Sequence, residues 1–196
     1  MSTETNFTIG FIGLGLIGGS IAKNVRRVFP NYTVIGYDTD KEALKKAVEE
    51  GVLDRPAAEL NSDFSECSYI FLCAPVQHNL QFLEQLKPYL KEGCIVTDVG
   101  SVKGGIHKKV KDLDMETCFI GGHPMVGSEK AGFSYSSDRL IENAYYFITP
   151  TEKVNTEKVK EFTSFIEELG ALTILLDAKR HDAFTAAISH VPHIMA

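Results

Sequence analysis

The chain has 196 residues, 44% of them hydrophobic, which is enough for one well-filled core and the start of a second unit. Its formal charge of -6, with no long Lys/Arg block, argues against nucleic acid as a partner, and an anionic ligand would need a local cluster of donors. No apolar run is long enough for a membrane span, Met1-Ser2-Thr3-Glu4 begins without a signal-peptide pattern, and the four cysteines form no CxxC pair; a cytoplasmic location is the expectation.

The stretch from Thr8 to Asp38 alternates in a readable way. An apolar strand over Thr8 to Ile12 meets Gly13-Leu14-Gly15-Leu16-Ile17-Gly18, and a helix from about Leu16 runs to Phe29, before Pro30. A second strand, Thr33 to Tyr37, ends at Asp38. Strand, glycine turn, helix, strand and acid are the dinucleotide fingerprint in its structural context. Gly13 permits the tight turn, Gly15 lets backbone approach a pyrophosphate, and Gly18 lets helix and strand pack closely. The helix start at Leu16 and Ile17 offers unpaired N–H groups to phosphate. Asp38 can accept the ribose hydroxyls of NAD and would repel the 2′-phosphate of NADP, and no Arg follows it. Asp40 is equally able to cap the next helix, which leaves Asp38 free.

That next helix carries an apolar stripe of Ala43, Leu44, Ala47 and Val48 and ends at Gly51. Residues 54 to 60 are a short segment of undecided structure. Ser68 to Cys73 is a central strand, followed by a helix with Leu80, Leu83, Leu86 and Leu90. Pro75 and Val76 leave that strand at its carboxyl end, where ligands bind in open parallel sheets, and they also start the helix. Cys94 to Val99 is the next strand. A basic helix then runs to Leu113; Lys103, Lys108 and Lys109 could attract an anion, and their default reading is its solvated face. A short strand from Cys118 to Gly121 precedes Gly122-His123-Pro124-Met125, and residues 126 to 143 form a loop rich in Gly and Ser. Strands at Ala144 to Thr149 and Leu172 to Leu176 flank a helix from Thr156 to Leu169. Alternating strands and helices imply a doubly wound, mostly parallel Rossmann-like α/β sheet, with later strands added in mixed orientation. The expected division is a cofactor domain over 1–176 and, over 177–196, the first helix of a truncated all-helical domain, bent near Pro192.

His123, at the expected cofactor rim, is the strongest candidate for chemistry, because a neutral imidazole can take the proton of an alcohol while hydride leaves the carbon. The blander alternative is a histidine that fixes its loop. Ser101 either hydrogen-bonds substrate or caps the following helix. Glu129 either closes the pocket or is an ordinary exposed loop acid. His190 and His193 share one helix face. With His181 they could suggest a metal, but no Cys or paired acid completes a ligand set, so no metal is expected and a substrate-facing histidine pair is preferred.

These motifs carry a resemblance. Gly13 to Ser20 (GLGLIGGS), Asp98 to Lys103 (DVGSVK), Gly122 to Glu129 (GHPMVGSE) and Ser189 to His193 (SHVPH) resemble the prephenate dehydrogenase family, in order and across essentially the whole chain. The resemblance implies NAD-dependent oxidative decarboxylation of prephenate to 4-hydroxyphenylpyruvate in tyrosine synthesis; arogenate dehydrogenases share the pattern. It places His123 as the catalytic histidine, Ser101 beside the substrate hydroxyl, Glu129 at the site's mouth, and His190 and His193 at the domain junction. It also implies a C-terminal helical domain that dimerises and supplies a carboxylate-gripping arginine beyond Ala196. A non-catalytic NAD-sensing module remains the alternative from another class; it would leave His123 and Ser101 without work.

Overall fold

The computed structural model describes residues 7–187. Five parallel strands form the first sheet: β1 (Thr8–Ile12), β2 (Thr33–Tyr37), β3 (Arg55–Ala57), β4 (Tyr69–Leu72) and β5 (Ile95–Asp98), in the order β3-β2-β1-β4-β5. β1, β4 and β5 are buried throughout, as apolar runs covered on both faces must be. The undecided segment after Asp54 holds β3, paired with β2 from Ile35–Arg55 to Tyr37–Ala57. Three residues with a proline at the centre carry too little period to read, and Pro56 is tolerated because this strand lies at the sheet's edge.

Helices cover both faces. α1 (Leu16–Val28), α2 (Lys41–Glu49) and α5 (Thr156–Glu168) pack one layer, with Ile21, Val25, Leu44, Phe162 and Phe165 in its core. α3 (Val76–Leu86) and α4 (Gly104–Asp112) pack the other through Leu83, Leu86, Ile106 and Val110. Complete burial of a side chain such as Phe162 contributes roughly 1.5–3 kcal/mol. Asp40 does cap α2, accepting from the Glu42 and Ala43 N–H groups. The stripe on α2 is narrower than its sequence suggested: Ala43, Leu44 and Ala47 are buried, whereas Val48 is 41% exposed. α3 stops at Leu86, so Leu90 follows it after a short 3-10 turn.

The later strands form a second sheet, β6 (Ile120–Pro124), β7 (Tyr145–Pro150) and β8 (Leu172–Leu175), ordered β6-β7-β8. The orientation is mixed, as expected: β6–β7 is antiparallel and β7–β8 parallel. β6 lies beside β5, joined by a single parallel bridge between Val96 and Phe119. His123 is therefore inside a strand, opposite Phe147, rather than in the loop after one. α6 (Ala178–Thr185) follows, capped by the Asp177 carboxylate at the Arg180 N–H. His190, His193 and the bend proposed at Pro192 lie outside the described residues.

Candidate active site

The sheet order reverses between β1 and β4, and the turns leaving these two strands meet there. Gly13 has φ +97°, and a Cβ on it would lie 2.7 Å from the Ala74 backbone nitrogen. A Cβ at Gly18 would lie 2.1 Å from the Gly13 oxygen and 2.7 Å from Cys73 Cβ. Both glycines are thus required by packing. At Gly15 an added Cβ meets nothing within 4 Å, so this residue faces open space at the start of α1. Gly15 is the N-cap of α1, no side chain caps that helix, and its first turn contains no acid. The free N–H groups and the helix dipole are left to an anion.

A cavity of about 340 Å³ opens at this point, lined by Gly13, Gly15, Asp38, Pro75, His78 and Phe82 among others. Among the described residues no Lys or Arg lines it. Asp38 is not as free as its sequence position suggested. Its Oδ2 accepts from the Leu14 N–H at 2.5 Å and its Oδ1 from the Asp40 N–H at 2.8 Å. These two bonds fix the carboxylate at the cavity wall, and a carboxylate has further lone pairs for ribose hydroxyls. The residues fit a dinucleotide: an open glycine at a phosphate-ready helix end, and an anchored acid where the ribose belongs. Leu16, Ile17 and Gly18 begin α1 beside this cavity, and Val76 begins α3 with its Cγ2 3.3 Å from a Cβ built on Gly100. His78 and Phe82 were missed in the sequence. Their i,i+4 spacing after Pro75 was the available signal, since it puts both on one face of α3.

The second half of the site centres on His123, which is 9% exposed. Its glycine neighbours do not open space for a ligand. A Cβ at Gly121 would lie 2.3 Å from Thr149 Oγ1, and one at Gly122 would lie 2.6 Å from both the Asp98 carbonyl and Tyr146 Oη. They let β6 sit closely against β5 and β7.

Lys103 departs most from its sequence reading. It is fully buried rather than on a solvated face. Its Nζ donates to Asp98 Oδ2 at 2.5 Å and to the Gly122 carbonyl at 2.6 Å. Asp98 also accepts from the Gly100 and Gly122 N–H groups at 2.9 and 3.3 Å. The two sheets are pinned together by this ion pair. Lys108 keeps the expected exposed position, paired with Asp112 one turn on, and Lys109 pairs with Glu84.

His181 was grouped with His190 and His193 as a possible ligand set, but the fold gives it another partner. His123 Nδ1 lies 2.9 Å from His181 Nε2, and His181 Nδ1 lies 2.9 Å from Asp182 Oδ1. Asp182 also accepts from the Lys103 and Gly104 N–H groups at 2.7 and 2.8 Å. It therefore caps α4 from 78 residues away, and Ser101 does not. Burial alone would raise the Asp182 pKa, but the His181 hydrogen bond and the two backbone donors outweigh it and hold the carboxyl below its usual range. An ionised carboxylate can only accept, so His181 Nδ1 donates to it. His181 Nε2 then carries a lone pair, and His123 Nδ1 donates to that. Among the described residues His123 Nε2 has no hydrogen-bond partner, which leaves it able to act as a base. Burial, His181 and the Lys103 charge push the His123 pKa down to about 4, so the ring is neutral at physiological pH. Ser101 is exposed in the turn before α4, and Glu129 is exposed in the loop after β6; among the described residues neither is hydrogen-bonded to His123.

Residues 21–175 match the family model for the nucleotide-binding domain of prephenate dehydrogenase. The chain belongs to the prephenate dehydrogenase family. It is 36% identical over 195 residues to the prephenate dehydrogenase of Bacillus subtilis, covering 96% of this chain and 52% of that one. Among solved structures, it resembles Synechocystis arogenate dehydrogenase at TM-score 0.89 and 38% identity, covering 96% of this chain and 66% of that one. It also resembles A. aeolicus prephenate dehydrogenase, solved with hydroxyphenyl propionate and NAD+, at TM-score 0.90 and 32% identity, covering 98% and 68%. The chain spans about half the length of the curated relatives it matches. Among the described residues, no helix is long and apolar enough to cross a membrane.

Proposed function

We propose that this chain is the cofactor-binding part of an NAD-dependent prephenate dehydrogenase, which oxidatively decarboxylates prephenate to 4-hydroxyphenylpyruvate. The observation that carries this reading is the neutral His123, whose Nε2 has no partner among the described residues, in a chain whose cavity offers an open glycine at a helix start and an anchored Asp38. When bound, NAD supplies the acceptor for the hydride leaving the substrate's ring carbinol. Gly15 and the N–H groups at Leu16 and Ile17 hold the pyrophosphate, Asp38 takes the ribose, and Pro75 and Val76 border the nucleotide. His123 Nε2 removes the hydroxyl proton as the carbinol becomes a carbonyl. That carbonyl is conjugated to the carbon bearing the ring carboxylate, so it can accept electrons as CO2 departs and the ring becomes aromatic. Ser101 orients the hydroxyl, and Glu129 stands at the mouth. In this reading 1–176 is the NAD domain, and 177–196 begins a helical domain that brings His190 and His193 to the substrate and forms a homodimer of a cytoplasmic enzyme. Arogenate is the second reading, favoured by the likeness to the Synechocystis enzyme.

The test is NADH formation by the full-length gene product with prephenate and with arogenate. His123→Asn should lower kcat by about 10²- to 10⁴-fold while NAD affinity, read by fluorescence titration, stays nearly unchanged. Loss of less than about tenfold would remove His123 as the base. NAD binding with neither substrate turned over would favour a sensing module.

A further inference from the structure

A base buried next to a fixed positive charge holds a proton poorly. His123 faces that situation, with Lys103 and the uncharged ring of Phe147 beside it. His181 is differently placed. It is fully buried on α6, and its Nδ1 is bonded to the ionised Asp182. Thr185 Oγ1, one turn further along α6, is 3.5 Å from its Nε2. The other charged or titratable groups around the pair among the described residues are Asp98, ion-paired with Lys103, and His107 on α4, whose Nε2 is 3.0 Å from Thr149 Oγ1.

We propose that the proton taken from the substrate does not stay on His123 but is relayed to His181, where Asp182 supplies the countercharge. Resting on the dehydrogenase reading above, this makes His181 and Asp182 positioning residues that act through His123. The step balances in protons. The substrate O–H bond breaks as an N–H bond forms at His123 Nε2. The Nδ1–H bond of His123 breaks as one forms at His181 Nε2. His123 ends neutral with its tautomer exchanged, and His181 ends as an imidazolium hydrogen-bonded to a carboxylate. The positive charge has moved one ring along, from a histidine with no carboxylate partner to one hydrogen-bonded to Asp182.

Asp182 also has a structural task, so the pH profile and the ring tautomers, rather than stability, report its electrostatic role. Its two bonds to the Lys103 and Gly104 N–H groups fasten α6 to the start of α4. In Asp182→Asn, the amide oxygen can replace Oδ1 in accepting from the Lys103 N–H and His181 Nδ1, but the NH2 group cannot accept from the Gly104 N–H as Oδ2 does, so one capping bond is lost together with the charge. In the full-length gene product this variant should lose a little melting temperature with the Gly104 bond and keep its NAD affinity, while kcat falls about 10- to 100-fold. The acid limb of kcat/KM belongs to the histidine pair and should move to lower pH, because the pair holds its proton less well without the carboxylate. Asp182→Glu should restore part of kcat. Nitrogen NMR of the histidine rings should show wild-type His123 protonated at Nδ1 and Asp182→Asn with mixed tautomers. An unmoved limb with kcat within about twofold of wild type would overturn the relay. So would a wild-type His123 protonated at Nε2. The NMR measurement needs no turnover, so it decides the hydrogen-bond order even if neither prephenate nor arogenate proves to be a substrate.

Discussion

In the five-stranded sheet, the cofactor cavity is shaped by backbone: a positive-φ turn at Gly13, an open Gly15 and the uncapped start of α1. In the three-stranded sheet, His123 is held by side chains: His181 and Asp182 on α6 bond its ring in series, and Asp98 at the end of β5 and Lys103, the residue before α4, hold the neighbouring Gly122. The first region is assembled from residues 8–38, contiguous in the chain. The second brings together groups up to 79 residues apart. A cavity built from backbone tolerates side-chain change at its outer wall but not at its glycines. A histidine held by buried ionised groups depends on every partner staying paired.

The largest test of this contrast is the seam between the sheets. Lys103→Met should remove the cation from Asp98 and leave a buried carboxylate with only backbone donors. Breaking one side of a buried pair costs about 3–5 kcal/mol, read by chemical denaturation. The double variant with Asp98→Asn should lose less than Lys103→Met alone, because no uncompensated charge remains. A single-variant loss below about 1 kcal/mol would mean that the pair does not hold the sheets together.

The next effect falls on the other sheet. Gly18→Ala places a methyl against the Gly13 oxygen and Cys73, so backbone must shift, at a cost of about 1–3 kcal/mol and with weaker NAD binding. Gly15→Ala meets no atom, so stability should hold while NAD affinity falls, because the methyl fills the space the pyrophosphate needs. Equal stability losses in the two variants would break the distinction between a packing glycine and a ligand-facing one.

This contrast also explains what the sequence made legible. β1, β2 and the start of α1 could be read to the residue because apolar runs, glycine spacing and a pre-proline stop are local signals. The glycine turn and Asp38 were found for the same reason, although the two backbone bonds that hold Asp38 were not. Lys103 was misread because a lysine ahead of a basic helix looks solvated. Only the approach of β6 to β5 buries it. The His123–His181–Asp182 chain gave no signal, since histidine spacing reports helix faces and not contacts between a strand and a distant helix. At residues 121 and 122 a glycine pair looks the same in sequence whether a ligand or a neighbouring strand occupies the missing side chain's place; the fold puts neighbouring strands and Lys103 there.

The smallest predicted effect is a pH dependence confined to the second sheet. The His123 pKa is about 4 in the folded chain against an unfolded value of 6.5, and burial and Lys103 also lower that of His107. Above pH 6.5 these rings are neutral in both states and contribute no slope. Below it the unfolded chain binds protons that the folded chain refuses, so stability falls as pH drops. For His123 the loss levels off below about pH 4, where both states are protonated. Melting temperature should therefore decline across this window, and His123→Asn should remove part of the slope. Amide exchange should place the loss in β6 to β8 and α6, leaving the protection of β1 and β4 nearly unchanged, because no histidine lies in the first sheet's strands. A slope equally strong in the His123→Asn,His107→Asn double variant would assign the pH dependence to carboxylates instead. Protection lost at the same rate in both sheets would show that the Lys103–Asp98 seam makes them a single cooperative unit.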